Sequence, residues 1–333
     1  MKTKRIILAG GSGFLGAELA KHFAALGWDV VILARSPKSR TDGVREVAWD
    51  AKSLGNWARE LEGATAVVNL TGRSVDCRYT AKNRREIMDS RVDSTRVVGE
   101  AIAGCANPPG VWLNSSTATV YQHTFGKPHD ESSREMDSAT DAKDAFSVEV
   151  AQAWERALFE AGQPLTPSLS PSDGEGEKTR KVALRTSMVL GLGRNSVFPV
   201  LRRLTKLGLG GRQGSGKQFV SWIHVEDFCR AIEWIIAHDD LSGPINQCAP
   251  NPLPNAEMMK LFRKVCGMPI GLPATEWMLE IGAFFLRTET ELIFKSRRVV
   301  PGLLLNSGFE FRFPTFREAL ADLESRFQTH ISA

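Results

Sequence analysis

Short apolar runs alternate with amphipathic stretches through the first half of the chain, the pattern that βαβ units leave in a parallel sheet. The runs at residues 5–9, 30–34, 46–48, 66–70 and 110–115 predict strands, and those at 14–26, 53–61 and 81–103 predict helices between them. A further strand is expected at 182–189. It follows a stretch, 163–181, rich in Pro, Ser, Gly and Glu, which lacks apolar periodicity and reads as a surface insertion.

Beyond residue 190 the pattern turns Gly-rich and then mixed. Helices are expected at 198–206 and 226–237, an extended run at 219–223 and a loop at 244–254. Helices at 256–265, around Trp277 and at 315–327 complete a smaller lobe. The reading is an α/β protein: a doubly wound parallel sheet over 1–190, and a smaller C-terminal α+β substrate lobe over 191–333, partly interleaved with the first.

Composition narrows the function classes. The 333 residues carry a formal charge of +4, with Lys and Arg scattered, so nucleic acid is not an expected partner. Cys77, Cys105, Cys229, Cys248 and Cys266 are odd in number and form no C-x-x-C pair, so neither a disulfide framework nor a metal site is indicated. The apolar run 6–9 is too short for a signal peptide, and 277–286 is about half of the roughly 20 residues that span a bilayer. The expectation is a cytoplasmic protein without membrane insertion, monomeric or homodimeric, acting on a small molecule.

The strongest chemical signal is Gly10-Gly11-Ser12-Gly13-Phe14-Leu15-Gly16, between the first strand and the first helix. Gly10 permits a tight turn, Gly13 lets backbone approach a pyrophosphate, and Gly16 lets helix pack on strand, with the free N–H groups of the helix start aimed at the phosphates. This is the dinucleotide cradle of a Rossmann fold. The second strand ends in Arg35-Ser36-Pro37-Lys38, with Arg40 close behind and no acid to receive a ribose 2′-hydroxyl. A guanidinium suits a 2′-phosphate instead, so NADP(H) is the expected cofactor, with Arg35 and Ser36 as its readers.

With these residues the chain resembles the extended short-chain dehydrogenase/reductase superfamily, and within it the epimerase-like proteins with a C-terminal domain of unassigned function. Further marks are Val68-Asn69-Leu70-Thr71-Gly72, Ser115-Ser116-Thr117-Ala118-Thr119-Val120-Tyr121, Leu184-Arg185-Thr186-Ser187 and Ser221-Trp222-Ile223-His224. The resemblance implies that Leu70, Thr71, Gly72 and Ser115 border the cofactor, that Asp50 or Trp49 borders the adenine, and that Thr117 stands where a catalytic serine is usual. Thr117, helped by Ser116, would polarise a substrate oxygen; capping of the strand end is the structural alternative.

The chain departs from the superfamily at its proton-exchanging pair. The helix Phe146-Ser147-Val148-Glu149-Val150-Ala151 places Phe146 or Ser147 at the tyrosine and Val150 or Ala151 at the lysine. Another acid must act, and Glu149 is the candidate, with Tyr121, His123 and Tyr79 as further pocket neighbours. Tyr121, Arg185 and Trp222 are the candidates for the substrate side. Helical geometry turns Arg91 inward, toward a substrate carboxylate, a cofactor phosphate or a nearby Asp, and it is grouped with the cofactor contacts. The expected function is an NADP(H)-binding, epimerase-like oxidoreductase of a small carbonyl or hydroxyl compound; the alternative is a non-catalytic NADP(H) sensor.

Overall fold

The structure is a computed structural model that describes residues 3–133, 145–162, 179–193, 196–275, 278 and 295–332. The insertion residues 163–178 and most of the expected helix around Trp277 lie outside the described residues.

The first strand, β1 (Arg5–Ala9), sits mid-sheet, so both its faces must be apolar. Ile6 and Leu8 enter one core layer, Ile7 and Ala9 the other. The same logic builds β2 (Asp29–Ala34), β4 (Ala66–Asn69), β5 (Val111–Thr117) and β6 (Arg180–Thr186), whereas β3 (Arg45–Ala48) is a sheet edge and only partly buried. Helix α1 (Phe14–Ala25) covers the first layer through Leu19, Ala20 and Phe23. Helix α2 (Ala81–Ala103) closes the second through Val97, Val98 and Ile102, and α3 (Ala145–Glu160) joins it through Leu158.

After β6 the chain forms β7 (Met188–Leu190), α4 (Val197–Leu204), β8 (Phe219–Val220), β9 (Trp222–His224) and α5 (Val225–Ala237). It then returns to the main sheet as β10 (Gly243–Gln247), parallel to β6. The seven strands lie in the order β10-β6-β5-β4-β1-β2-β3, all parallel, and the order reverses direction beside β1. A crevice outside the carboxyl ends of the strands at that switch is where ligands bind in such sheets. Among the described residues, later elements are β11 (Leu253–Pro254), α6 (Asn255–Val265), α7 (Gly302–Asn306) and α8 (Phe316–Ser332). A separate apolar cluster, including Phe262, Phe316 and Leu320, joins α6 to α8.

Four expectations need correction. The run 244–254, expected as loop, contains the edge strand β10 and the short β11: Pro244 is tolerated at a sheet edge, and Ile245 packs in the core. The single strand 182–189 is two, because Ser187 turns to bond the Gln247 carbonyl, and β7 pairs with β9 in another sheet. Arg180 and Lys181, assigned to the insertion, begin β6, tied by their side chains to backbone carbonyls that include Leu241 and Phe159. Finally, the helix expected at 53–61 shortens to a 3-10 turn, Asn56–Leu61.

Candidate active site

The cradle lies where β1 gives way to α1. Gly10 holds φ +72°, a left-handed conformation, and a Cβ there would stand 2.6 Å from the Thr71 hydroxyl. Gly16 is pressed on the first turn, where an added Cβ would fall 2.3 Å from the Gly11 Cα. Gly13 differs from both. It caps α1 with no side-chain bond, and its nearest neighbour to an added Cβ is the Gly10 carbonyl, 4.0 Å away, so the space in front of it is open.

The turn after β4 lies against Gly10. Asn69 is fully buried, donates to Asn114 Oδ1 at 2.8 Å and accepts the Thr71 N–H at 3.1 Å, which fixes the turn. The Thr71 hydroxyl is buried without a hydrogen-bond partner among the described residues. A buried polar atom left unpaired costs about 1–3 kcal/mol, a cost that a hydrogen-bonding group in the cradle would relieve.

At the end of β2, Arg35 and Ser36 are exposed, and Arg35 has no ion pair among the described residues. Arg40, by contrast, is held by Asp42 at 2.5 Å and Glu46 at 3.2 Å, which raises its pKa. Asp42 is lowered to about 2 by the same contact. Asp50 lies by Trp49 in a surface hollow, accepts the Lys52 and Ser53 N–H groups, and is lowered to about 2, chiefly by Ser53.

The cradle opens into a cleft of about 520 Å³ lined by Phe14, Leu15, Leu70, Gly72, Arg91 and Ser115–Thr117. Phe146, Ser147, Val150 and Trp154 of α3 form one wall, and Thr186 to Val189 another. Thr117 Oγ1 accepts the Thr119 N–H at 3.2 Å and lies 2.9 Å from the Thr119 hydroxyl. When Thr119 donates, the proton of Thr117 is free to point into the cleft.

Ser116 takes another role from that expected. Its hydroxyl donates to Glu155 Oε1 at 2.6 Å, and a carboxylate only accepts, so Ser116 offers lone pairs and no proton. Glu155 is held by Arg185 through two bonds of 2.8 Å. Burial alone would lower the Arg185 pKa, but the Glu155 carboxylate raises it overall.

Arg91 is half-buried beside Gly72. Its Nη1 donates to the Arg73 and Ile87 carbonyls at 3.1 and 3.0 Å, and its guanidinium carbon sits 4.9 Å from the Trp154 ring centre. No carboxylate pairs with it among the described residues. Burial lowers its pKa to about 10.

Five candidates stand away from the cleft. Glu149 is exposed and absent from the lining, because Phe146 and Val150 take the inward positions of α3. Tyr121 is fully buried, its phenol donating to Asn246 Oδ1 at 3.0 Å and accepting from Arg185 at 2.9 Å. Arg185 is consumed by Glu155 and Tyr121. Trp222 is fully buried against Phe316, its N–H given to the Asn251 carbonyl at 3.0 Å. His123 accepts the Ser296 N–H through Nδ1. Conversely, Arg73, Thr119 and Ser187 line the cleft without having been proposed for a role, and Ser147, aligned with the missing tyrosine, lines it too. Adjacency to Gly72 and the two-residue step from Thr117 were the available signals for Arg73 and Thr119.

The family model for the NAD dependent epimerase/dehydratase family matches residues 6–247, which include the cradle, the Thr71 turn and the Ser115–Thr117 edge. The chain belongs to this family. A domain of unknown function, DUF1731, matches residues 274–323 beyond the family's own segment. Among family relatives, the epimerase family protein SDR39U1 of Bos taurus is 29% identical over 323 residues, covering 96% of this chain and 99% of the relative. The epimerase family protein YfhF of Bacillus subtilis is 29% identical over 324 residues, covering 96% and 97%. The crystal structure of human SDR39U1 (isoform 2) with NADPH superposes with a TM-score of 0.78 at 26% identity, covering 96% of this chain and 99% of that one. No helix among the described residues is long and apolar enough to cross a membrane. No cluster of His, Cys, Asp or Glu suited to a metal occurs among them either.

Proposed function

We propose that the protein binds NADP(H) in the glycine cradle and uses it on a small carbonyl or hydroxyl compound held in the adjoining cleft. The carrying observation is the open space before Gly13 at the start of α1, beside a Thr71 hydroxyl buried against Gly10 with no hydrogen-bond partner among the described residues. The N–H groups that open α1 would hold the diphosphate, Arg35 and Ser36 the 2′-phosphate, and Asp50 the adenosine end. Leu70, Gly72 and Ser115 would border the ribose, with Arg91 as a positive charge beyond Gly72. The human relative crystallised with NADPH supports the same choice of cofactor.

When bound, NADP(H) supplies or receives a hydride. Thr117 donates a hydrogen bond to the substrate oxygen, and Ser116, its proton held by Glu155, accepts from a substrate hydroxyl. Five free cysteines fit a reducing, cytoplasmic setting, with the protein a monomer or homodimer. Calorimetry with NADPH and NADH tests the cofactor, and nicotinamide absorbance with a panel of aldehydes, ketones and alcohols tests turnover. Equal affinity for the two nucleotides, or none for either, would sink the reading.

One observation favours a second reading, a non-catalytic NADP(H) sensor: α3 presents Phe146, Ser147, Val150 and Trp154 to the cleft, and none of them titrates as a tyrosine and lysine would. Tight NADPH binding with no turnover on the panel would select it.

A further inference from the structure

Helix α4 and the π-helical turn that continues it, Thr205–Leu209, bury Phe198, Leu201 and Thr205 against the protein. Helical spacing sends Val200, Arg203 and Leu207 out on the opposite side, and Leu207 stands 66% exposed. Gly208 then takes φ +80°, and Leu209 is exposed as well. A second loop adds to this face. Leu272 gives its N–H to the Gly208 carbonyl at 2.8 Å and accepts the Gly211 N–H at 3.1 Å. Gly271 lies so close to Gly210 that an added Cβ would stand 2.5 Å from its carbonyl carbon. Ile270 and Leu272, 73% and 61% exposed, are thereby held beside the turn that carries Leu207 and Leu209. Clustered aliphatic side chains that project into solvent mark a place of contact.

The charge around this face has one sign. Residues 196–225 contain five Lys or Arg and 258–275 three, with no Asp or Glu in either stretch. The whole chain carries only +4, so the remainder is net negative. Glu324 of α8 neutralises Arg202, and Arg263 is drawn onto the Gly210 carbonyl. Arg203, Lys206, Arg212 and Lys264 are exposed and have no ion pair among the described residues.

We propose that this face docks reversibly on an anionic lipid surface. Leu207, Leu209, Ile270 and Leu272 enter the boundary between headgroups and acyl chains, and Arg203, Lys206, Arg212 and Lys264 meet the lipid phosphates. Projecting aliphatic groups need a soft apolar phase to receive them, and the long stems of Lys and Arg lie along such a phase while their charged ends stay at the phosphates. The contact is peripheral, since no helix among the described residues is long and apolar enough to cross a membrane. A second copy of the chain fits this face poorly, because a two-fold contact would set its unpaired cations against their own copies. Nucleic acid fits poorly too: the patch offers no exposed aromatic ring among the described residues on which a base could stack. Helix α4 begins at Val197, in the wall of the cleft, so the docked face and the cleft share one helix.

The test is co-sedimentation of the full chain with vesicles of phosphatidylcholine, prepared with and without phosphatidylglycerol. Binding is expected to the anionic vesicles alone and should weaken as salt is added. Lys206→Gln combined with Lys264→Gln should lower the vesicle affinity about tenfold or more. Leu207→Ser combined with Ile270→Ser should lower it by about tenfold or more as well. All four side chains are exposed, so the urea midpoint and the NADPH affinity of each double variant should match the parent's, which separates lost docking from lost folding. A parent chain that stays in the supernatant with anionic vesicles overturns the proposal, as does sedimentation that neither pair of substitutions weakens. Capture by immobilised poly-glutamate in place of vesicles, with the same dependence on Lys206 and Lys264, overturns it in favour of an acidic protein partner.

Discussion

Glu155 of α3 and Arg185 of β6 meet through two parallel bonds of 2.8 Å, in a region where both side chains are at least nine-tenths buried. The carboxylate also receives the Ser116 proton, and the guanidinium reaches the Tyr121 phenol. One ion pair thus fixes the strand edge that carries Ser116 and Thr117. Glu155→Ala leaves a buried guanidinium uncompensated, and a loss of about 3–5 kcal/mol is expected in urea unfolding. A loss below about 1 kcal/mol would show that water reaches the pair.

Gly13→Ala separates cofactor contact from folding. An added methyl meets no atom closer than 4.0 Å, so stability should change by less than about 1 kcal/mol. The methyl would occupy the diphosphate's approach, and NADPH affinity should fall by about tenfold or more in calorimetry. Unchanged affinity would place the dinucleotide elsewhere.

The two arginines after β2 should differ. Arg35 is without an ion partner among the described residues, whereas Arg40 is bound to Asp42 and Glu46. Arg35→Ala should weaken NADPH by about 10–100-fold, the worth of a charge-assisted bond, and leave NADH unchanged. Arg40→Ala should have a smaller effect, and the ratio of the two affinities measured by fluorescence titration decides it.

His224 gives the fold a dependence on pH. Fully buried, it caps α5, its Nδ1 accepting the Glu226 N–H at 3.1 Å, while Nε2 lies 3.2 Å from Asp322 of α8. Burial lowers its pKa; Asp322, Asp227 and Glu226 oppose that shift and Arg326 adds to it. The folded state holds His224 neutral while the unfolded chain takes up a proton near pH 6.5, so stability is full above that value and declines as pH falls toward the lower folded pKa. His224→Asn, which can still cap, should flatten the urea midpoint between about pH 7 and 5.

Much of the architecture was legible because mid-sheet strands are apolar on both faces. Ile6 to Ala9 and Val30 to Ala34 have no polar position to confuse the period, and the bounds of α2 agree at both ends. The cradle was legible for the same local reason, since glycine spacing encodes backbone shape directly. Pro244 misled because proline and glycine signal a loop locally, whereas only the β6 edge, far away in sequence, makes 243–247 a strand. The substrate-side candidates failed in a similar way. Sequence could show that Tyr121, Arg185 and Trp222 carry functional groups, but not that Asn246, Glu155 and Asn251 satisfy them. Arg91 was legible as inward-turned, while the lack of a paired acid among the described residues needed three dimensions.

The return of β10 to β6 bears on how the polypeptide is made. During synthesis, β6 emerges with its outer edge bare, an invitation to pair with other nascent chains. It stays so until Gly243–Gln247 have left the ribosome, so the nucleotide-binding half cannot finish folding before much of the following half exists. A stop or frameshift between these two strands should therefore yield an insoluble fragment, not a smaller working protein.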